Sequence, residues 1–269
     1  MNISFIGGGN MARALIGGLL AKGWTANDIS VVELEQSRRE QLHHDFGINV
    51  TEQLPSAARA DIIVLAVKPQ QLRDVAIFLG SLLHGQLVVS IAAGIRTTDL
   101  ARWLGGYKAI VRVMPNTPAL VRCGVSALFA ADGASPAQRQ QAETVLGAVG
   151  NTVWLEDESH MDAVTAISGS GPAYVFYFIE AMQQAAAELG LPPEQARTLS
   201  LQTLLGASQL ALQSTETPAV LRAQVTSKGG TTERALDSME ACRVKNAIVQ
   251  AIHAAAERSC ELGNMLGKS

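Results

Sequence analysis

Short apolar runs alternate with helical patterns through the first half of the chain. The runs are rich in β-branched residues and contain few polar positions, so each predicts a strand buried on both faces. These runs are Ile3–Ile6, Ile29–Val32, Ile62–Val67, Leu87–Ile91, Ala109–Met114, Val125–Phe129 and Val153–Leu155. Helical spacing covers the intervals, as in Asn10–Lys22, Gln36–Phe46, Gln70–Leu83 and the stretch after Pro136. The pattern predicts an α/β domain with a mostly parallel sheet and helices on both sides.

The pattern changes after about His160, where strand signals stop. Long segments rich in Ala, Leu, Glu and Gln follow at helical spacing, and prolines stand at the starts of several, where a helix tolerates them. The segments are Ala173–Leu189, Glu194–Gln213, Ala219–Val225, Thr231–Met239 and Ala241–Leu266. We therefore predict two domains, a sheet domain at residues 1–158 and an all-helical domain at 159–269.

Composition bears on how the helical half is stabilised. Hydrophobic residues make up 48% of the 269 residues and charged residues only 17%, against about 25% charged in an average soluble chain. The apolar helix faces could form the core of a monomeric bundle, or they could form an intermolecular interface. The low charge content favours the interface, and we expect a homodimer.

Charge and cysteine usage exclude several classes of protein. The formal charge of −3 offers no positive excess to attract nucleic acid or an anionic membrane. The three cysteines lie far apart and the histidines show no ligand spacing, which argues against disulfides and a metal site. No apolar run reaches the roughly 18 to 20 residues of a spanning helix, and the chain opens on a predicted strand. We expect a cytoplasmic protein.

A glycine-rich turn joins the first predicted strand to the first predicted helix. Gly7-Gly8-Gly9-Asn10-Met11-Ala12 is a G-x-G-x-x-A form of the dinucleotide-binding motif, in the strand–turn–helix context that the motif requires. The glycines permit a tight turn and close approach of a pyrophosphate, and the small third residue lets helix and strand pack closely. We predict a Rossmann-type domain in which Gly7, Gly9, Asn10, Met11 and Ala12 bind a dinucleotide, although glycines also mark ordinary turns.

The end of the second predicted strand carries conflicting signals about the cofactor. Glu33 stands where an acidic side chain would accept a hydrogen bond from the ribose 2′-hydroxyl of NAD. Arg38 and Arg39 follow within one helical turn and could bind a 2′-phosphate, or they could be solvated surface charges. The choice between NADH and NADPH therefore stays open at this point.

Four further motifs follow in order along the chain. They are Ala66-Val67-Lys68-Pro69, the heptapeptide from Arg112 to Pro118, Ile167-Ser168-Gly169-Ser170-Gly171-Pro172-Ala173-Tyr174, and Thr226-Ser227-Lys228-Gly229-Gly230-Thr231-Thr232. Together with the glycine turn they closely resemble pyrroline-5-carboxylate reductases, the enzymes of the last step of proline synthesis. Each motif is modest alone, but five in this order are specific, and they span the chain.

The resemblance implies an NADPH- or NADH-dependent reduction of the cyclic imine 1-pyrroline-5-carboxylate. It implies a substrate site that contains Ser170, Ser227, Gly229, Gly230, Thr231 and Thr232. The backbone N–H groups of Gly230 and Thr231 could hold the substrate carboxylate, and the hydroxyl of Thr232 would contact the ring nitrogen. The two threonines could also serve simply as caps of the following helix. Lys228 departs from the family, which usually has proline there, and it puts the rigidity of this loop in doubt.

The resemblance also implies cofactor contacts at two strand ends. Ala66, Val67, Lys68 and Pro69 would lie beside the nicotinamide ribose, with Lys68 at the catalytic centre, and Asn116 would contact the nicotinamide side. A surface lysine and a turn asparagine are the plain alternatives. The family further implies a homodimer or a ring of dimers, with the substrate site formed where one chain's cofactor domain meets its partner's helices.

Two other functions fit the same sequence features. A β-hydroxyacid dehydrogenase shares a Rossmann half and a helical half and uses a lysine of the helical half, for which Lys245 is the plausible candidate. A non-catalytic dinucleotide-binding protein would bind the cofactor without turnover, but the glycine–threonine loop is intact apart from Lys228.

Overall fold

The computed structural model describes residues 1–268, and the chain divides into two compact units. The first contains Met1–Ser170 together with the C-terminal segment that begins at Ala255, and the second contains Gly171–Ala254. Because the chain returns to the first unit at its C-terminal end, the units are not successive stretches of sequence. The domain boundary between residues 158 and 159 stays a prediction.

An eight-stranded sheet runs through the first unit. Its strands are β1 (Ile3–Ile6), β2 (Ile29–Val32), β3 (Asn49–Thr51), β4 (Ile62–Leu65), β5 (Leu87–Ser90), β6 (Ile110–Met114), β7 (Gly124–Ala130) and β8 (Gly150–Trp154). The order is β3-β2-β1-β4-β5-β6-β7-β8. Only β6 and β7 pair antiparallel, and every other neighbouring pair is parallel. The prediction of a mostly parallel sheet is confirmed.

Helices cover both faces of this sheet. They are α1 (Asn10–Ala21), α2 (Gln36–Phe46), α3 (Pro69–Gly80), α4 (Thr97–Trp103), α5 (Pro136–Leu146) and the single turn α6 (Met161–Val164), which continues into a π-helical turn at Thr165–Gly169. Successive residues of β4 enter opposite cores: Ile62 and Val64 belong to one cluster, Ile63 and Leu65 to the other. A strand that faces two cores needs apolar residues at every position, which explains the continuous runs in the sequence.

Several bounds differ from the sequence-based prediction: β8 is Gly150–Trp154 rather than Val153–Leu155, and the last helix begins at Val244 rather than at Ala241. Three further differences concern the first unit. The strand β3 was not expected, because its Asn-Val-Thr sequence is short and partly polar, as an edge position beside β2 permits. The seven-residue helix α4 was also missed, since it is too short to show a helical period. Finally, β4 ends at Leu65, so Ala66 and Val67 lie in the loop that precedes α3.

The second unit is helical, as predicted. It contains α7 (Gly171–Glu188), α8 (Pro193–Gln213), α9 (Pro218–Gln224), α10 (Thr231–Ala241) and the first part of α11 (Val244–Leu266). Pro193 and Pro218 occupy first-turn positions, where the missing N–H costs no hydrogen bond. Within α7 to α10 only Ala196 and Ser200 are buried. These helices therefore have almost no core of their own within one chain.

Candidate active site

The glycine turn after β1 has a backbone that only glycine adopts easily. Gly7 has φ = +100°, and its N–H donates to the carbonyl of Val32 at 2.8 Å. A Cβ atom at Gly7 would lie 2.7 Å from the carbonyl oxygen of Ala66. The turn is therefore pressed against the loop after β4, and a larger residue would force the two apart.

The start of α1 leaves room for a ligand. Gly9 is the N-cap residue, no side chain caps the helix, and no acidic residue stands in its first turn. A Cβ atom at Gly9 would meet no atom within 4 Å, so the space beside it is open. Asn10 is exposed and Ala12 is buried in the core. An uncapped, open helix start with no acidic residue in its first turn fits the pyrophosphate of a dinucleotide.

Glu33 lies directly beside this turn. Its Oε2 accepts from the N–H of Gly8 at 2.9 Å, its Oε1 accepts from the N–H of Glu35 at 3.1 Å, and the residue is only 9% exposed. Burial alone would raise the pKa of Glu33, but the hydrogen bonds from Glu35, Gly8 and Arg38 outweigh it and hold that pKa below its usual value. The carboxylate at the end of β2 is therefore anionic at neutral pH.

The two arginines that follow are already engaged. Arg38 contacts Glu33 at 3.3 Å and Glu35 at 2.9 Å. Arg39 donates to the carbonyls of Glu33 and Leu34 at 2.8 and 2.7 Å, which holds it against the backbone of the loop. Arg39 is thereby used to shape the loop after β2, and Arg38 shares its charge with two carboxylates.

Lys68 lies at the carboxyl edge of the sheet. It is exposed and is the N-cap residue of α3, with Pro69 at the first helical position. The N–H of Ala66 donates to the carbonyl of Ile6 at 2.8 Å, and Val67 packs against a core cluster. The four residues from Ala66 to Pro69 thus form a short loop that lies against the glycine turn at Gly7.

Asn116 uses both ends of its side-chain amide to hold other segments. Its Nδ2 donates to the carbonyl of Ser168 at 3.1 Å, and its Oδ1 accepts from the N–H of Val125 at 3.0 Å. One N–H of the amide remains for any ligand. Ser170 ends the π-helical turn, where its N–H donates to the carbonyl of Thr165 at 2.8 Å.

A buried ion pair lies near the same segment, and the sequence reasoning missed it. Arg112 of β6 contacts Glu158 at 2.8 Å, with side chains only 7% and 17% exposed. Glu158 also accepts from the N–H and hydroxyl of Thr97, at 2.8 and 2.6 Å, at the start of α4. No local sequence pattern connects the two partners, because they lie far apart along the chain. Arg112, a charged residue within an apolar strand, was nevertheless a sign that a buried partner exists.

The loop before α10 forms a second glycine turn, within the second unit. The N–H of Gly230 donates to the carbonyl of Ser227 at 3.0 Å, and Gly229 has φ = +73°. A positive φ at the third residue is what a type II turn requires, and proline suits its second position. Lys228 occupies that second position, and it is exposed. The turn thus forms without the proline that is usual in the family.

The first turn of α10 has donors available for an anion. No side chain caps the helix at Gly230, and no acceptor for the N–H of Thr231 or Thr232 lies within the described chain. Glu233, which the sequence reasoning did not single out, accepts from the N–H of Gly229 at 2.7 Å. The N–H of Gly229 is therefore occupied by the chain's own carboxylate, and that of Gly230 by the carbonyl of Ser227. Of the expected pair Gly230 and Thr231, only Thr231 keeps an available donor, and Thr232 offers another.

The described residues lack two features that other functions would require. Within residues 1–268, no three His, Cys, Asp or Glu side chains come together as ligands for a metal ion. None of the helices in that range combines the length and the apolar character needed to cross a bilayer.

Two family models match separate parts of the chain. Residues 158–262 match the model described as pyrroline-5-carboxylate reductase dimerisation, and residues 2–94 match the model described as NADP oxidoreductase coenzyme F420-dependent. The pyrroline-5-carboxylate reductase of Pseudomonas aeruginosa is 49% identical over 99% of this chain and 98% of its own length. That of Arabidopsis thaliana is 37% identical over 97% of this chain and 95% of its own.

Solved structures agree with these matches. A pyrroline-5-carboxylate reductase from Coxiella burnetii has a TM-score of 0.91 at 41% identity and covers 97% of this chain and 98% of its own. The Plasmodium falciparum pyrroline carboxylate reductase with NADP bound has a TM-score of 0.87 at 29% identity, over 98% of both chains. A prephenate dehydrogenase from A. aeolicus, 14% identical with a TM-score of 0.56, shares the fold alone. Full-length identity and fold together show that this chain belongs to the pyrroline-5-carboxylate reductase family.

Proposed function

We propose that this protein reduces 1-pyrroline-5-carboxylate to L-proline with a nicotinamide dinucleotide, the last step of proline synthesis. The observation that carries the proposal is the uncapped start of α10, where the N–H groups of Thr231 and Thr232 face no acceptor in the described chain, in a sequence 49% identical over its length to a reductase of that name.

The cofactor is assigned to the glycine turn and the neighbouring strand ends. The open start of α1 at Gly9 and Asn10 is suited to the pyrophosphate. Met11 and Ala12 keep the helix close to the sheet. Bound there, the cofactor supplies the hydride. Its nicotinamide ribose is proposed to be lined by Ala66, Val67, Lys68 and Pro69. Asn116 could donate its remaining amide N–H to the nicotinamide side of the cofactor.

The substrate carboxylate is assigned to the start of α10. The donors of Thr231 and Thr232 are at the positive end of the helix dipole, which favours an anion. Ser227, Gly229 and Gly230 shape the turn that presents them, because a Cβ at Gly230 would lie 2.6 Å from the hydroxyl of Ser227. Ser170 ends the π-helical turn, and we keep it as a proposed member of the site.

The chemistry requires positioning more than acid–base catalysis. An imine carbon accepts hydride more readily when its nitrogen is protonated, and the product amine then carries the proton that the iminium already held. The half-buried hydroxyl of Thr232 is proposed to accept a hydrogen bond from that N–H. Lys68, exposed at the edge of the sheet, is the proposed second catalytic residue. Most of the rate acceleration is proposed to come from holding the nicotinamide ring against the pyrroline ring of the substrate.

We propose that NADH is the preferred cofactor. Glu33 is anionic, nearly buried and bonded to the N–H of Gly8, so it can accept from a ribose hydroxyl and would repel a 2′-phosphate. Arg39 is held by backbone carbonyls, and Arg38 is shared between Glu33 and Glu35. Both arginines are already engaged, so the 2′-phosphate of NADPH would have to displace an existing contact.

The second unit supports the proposal of a homodimer. Large apolar side chains are exposed along its helices, including Tyr177 at 76% and Leu212 at 83%. An exposed apolar surface of this extent marks an interface, and residues 158–262 match a dimerisation model. A ring of dimers and a cytoplasmic location stay predictions.

Steady-state oxidation of NADH and NADPH, followed at the nicotinamide absorbance with and without pyrroline-5-carboxylate, tests the reaction. We expect imine-dependent turnover that is faster with NADH. A parallel assay with 3-hydroxy acids and NAD⁺ tests the dehydrogenase alternative. Turnover of the hydroxy acids alone, or of neither substrate in a folded sample, would contradict the proposal.

A further inference from the structure

A cationic cavity lies in the first unit, among α3, α4 and the C-terminal end of α11. Its volume is about 540 Å³, and it is lined by Arg73, Ile77, Arg96, Asp99, Arg102, Trp103, Gly263, Asn264, Gly267 and Lys268. None of these residues belongs to the cofactor or substrate assignments above. The volume falls within the range of roughly 300 to 1,000 Å³ that is usual for small-molecule sites.

Three of the four positive charges in this cavity have no counter-charge among residues 1–268. Arg102 contacts Asp99 at 3.1 Å. In contrast, Arg73, Arg96 and Lys268 form no ion pair with any residue of the described chain. Of the described residues, four cationic side chains and one carboxylate side chain line the cavity, in a chain whose formal charge is −3. Like charges gathered without partners repel one another, and a bound anion would relieve that repulsion.

Two of the arginines are held in place by neutral groups. Arg96 donates through Nη2 to the Oδ1 of Asn264 at 2.8 Å, and Arg102 donates to the carbonyl oxygen of Gly267. The C-terminal end of α11 comes this close because it carries glycines. A Cβ at Gly267 would collide with the carboxylate of Asp99, and one at Gly263 would lie 3.3 Å from the carbonyl oxygen of Gly94. Arg96 is therefore oriented without being neutralised, whereas Arg102 is also paired with Asp99.

We propose that this cavity binds a small oxyanion that carries two or more negative charges. The planar fork of arginine matches the oxygens of phosphate and carboxylate groups. Two such forks come from Arg73 of α3 and from Arg96, the N-cap residue of α4. Ile77 and Trp103 provide an apolar wall for the carbon portion of an organic phosphate or a polycarboxylate. Phosphate and carboxylate share this chemistry, and the choice of probe distinguishes them.

Isothermal titration calorimetry of the full chain at low ionic strength is the test. The probes are inorganic phosphate, inorganic pyrophosphate and citrate, each with excess NAD⁺ so that binding at the glycine turn is competed. We expect saturable binding of pyrophosphate with one site per chain. Binding of citrate as well would define a general oxyanion site, and binding of the two phosphates alone would define a phosphate site.

The variant Arg73→Gln should weaken this binding by roughly five- to tenfold, because it removes one charge-assisted contact. Arg73 is exposed and unpaired, so its loss should not disturb folding. Arg96→Gln should weaken binding by at least as much. Arg59→Gln is the matched control, since Arg59 is also exposed and without a partner in the described chain, and it lies outside the cavity. That variant should bind as the parent does.

Fluorescence of the cavity residue Trp103 provides a second readout. Pyrophosphate should change the emission of the parent and leave that of Trp103→Phe unchanged. The proposal would be overturned if none of the three probes showed saturable binding. So would equal binding by the parent and both arginine variants, because the anion would then lie elsewhere.

Discussion

At the scale of single residues, substitutions at Thr232 can distinguish a chemical role from a helix-capping role. Its N–H and its hydroxyl both stand at the start of α10, so substitution removes the hydroxyl and keeps the N–H. We expect Thr232→Ala to lower kcat/KM for the imine by roughly ten- to a hundredfold, as the loss of a hydrogen bond to a charged group would. The affinity for the cofactor should stay unchanged.

Thr232→Ser is the control for that prediction, because it retains the hydroxyl and should keep most of the activity. Steady-state kinetics on the imine and a fluorescence titration of NADH measure the two quantities. If Thr232→Ala lost imine turnover and cofactor affinity in equal proportion, the threonine would be only a structural cap.

Glu33 is the residue on which cofactor preference depends. Replacing it with serine removes the anion beside the turn and releases Arg38 from one of its partners. We expect Glu33→Ser to shift the ratio of kcat/KM values toward NADPH by at least about tenfold, since one repulsion is removed and one guanidinium is released.

Glu52→Ser is the matched control for cofactor preference. Glu52 pairs with Arg39 at 3.3 Å but is largely exposed, and its loss should leave the ratio unchanged. The ratio of the two cofactors is measured with saturating imine. An unaltered ratio in Glu33→Ser would mean that this carboxylate does not face the ribose.

At the scale of the element, the turn before α1 contains two glycines with different requirements. Gly7 needs its positive φ and has no room for a Cβ, whereas the space beside Gly9 is open. We expect Gly9→Ala to keep the free energy of unfolding within about 0.5 kcal/mol while it raises KM for the cofactor. Gly7→Ala should lower the free energy of unfolding, by an amount that exceeds 1 kcal/mol.

Denaturant unfolding and cofactor kinetics on both variants measure this contrast. An unchanged KM in a folded Gly9→Ala would place the pyrophosphate away from the turn.

The buried pair of Arg112 and Glu158 connects three elements: the strand β6, the start of α4 and the segment that leads to α6. Arg112→Met would leave the carboxylate of Glu158 with Thr97 as its remaining partner. We expect the free energy of unfolding to fall by about 3 kcal/mol or more, because breaking a buried pair leaves an uncompensated charge.

The exposed pair of Arg258 and Glu261 is the control for this prediction. Its side chains are 58% and 61% exposed, so Arg258→Met should cost less than about 1 kcal/mol. Urea denaturation of the two variants measures both. Equal small losses would show that Glu158 finds other partners once Arg112 is gone.

At the scale of the whole molecule, the exposed apolar surface of the helical unit indicates that the stability of this unit depends on association of two copies of the chain. Its exposed apolar side chains would be in water in a single chain, and their burial against a second copy would contribute about 25 cal/mol for each Å² removed from water. We expect Leu212→Glu and Tyr177→Glu to shift the protein toward monomer in sedimentation and to lower the melting temperature.

Phe78→Glu is the control for association, because Phe78 is half exposed on α3 of the first unit. That variant should leave the dimer intact. Dimers that persist at low concentration in both helical variants would place the interface elsewhere.

The sequence by itself determined the alternation of strands and helices, the all-helical second half and the glycine turn, at which it predicts a dinucleotide site. These features have a local cause: periodicity follows from which faces are buried, and a positive φ requires glycine at Gly7. The motifs from Ala66 to Thr232 also indicated the family, because five short patterns in a fixed order are specific.

Only the tertiary structure decided which partners these residues have. It placed Glu33 against Gly8, used both ends of the Asn116 amide for other segments, and paired Arg112 with Glu158. It also gathered Arg73, Arg96, Arg102 and Lys268 around one cavity. Such contacts join positions far apart along the chain, and no local pattern encodes them. Their geometry depends on how elements pack, which is set by the whole core rather than by neighbouring residues.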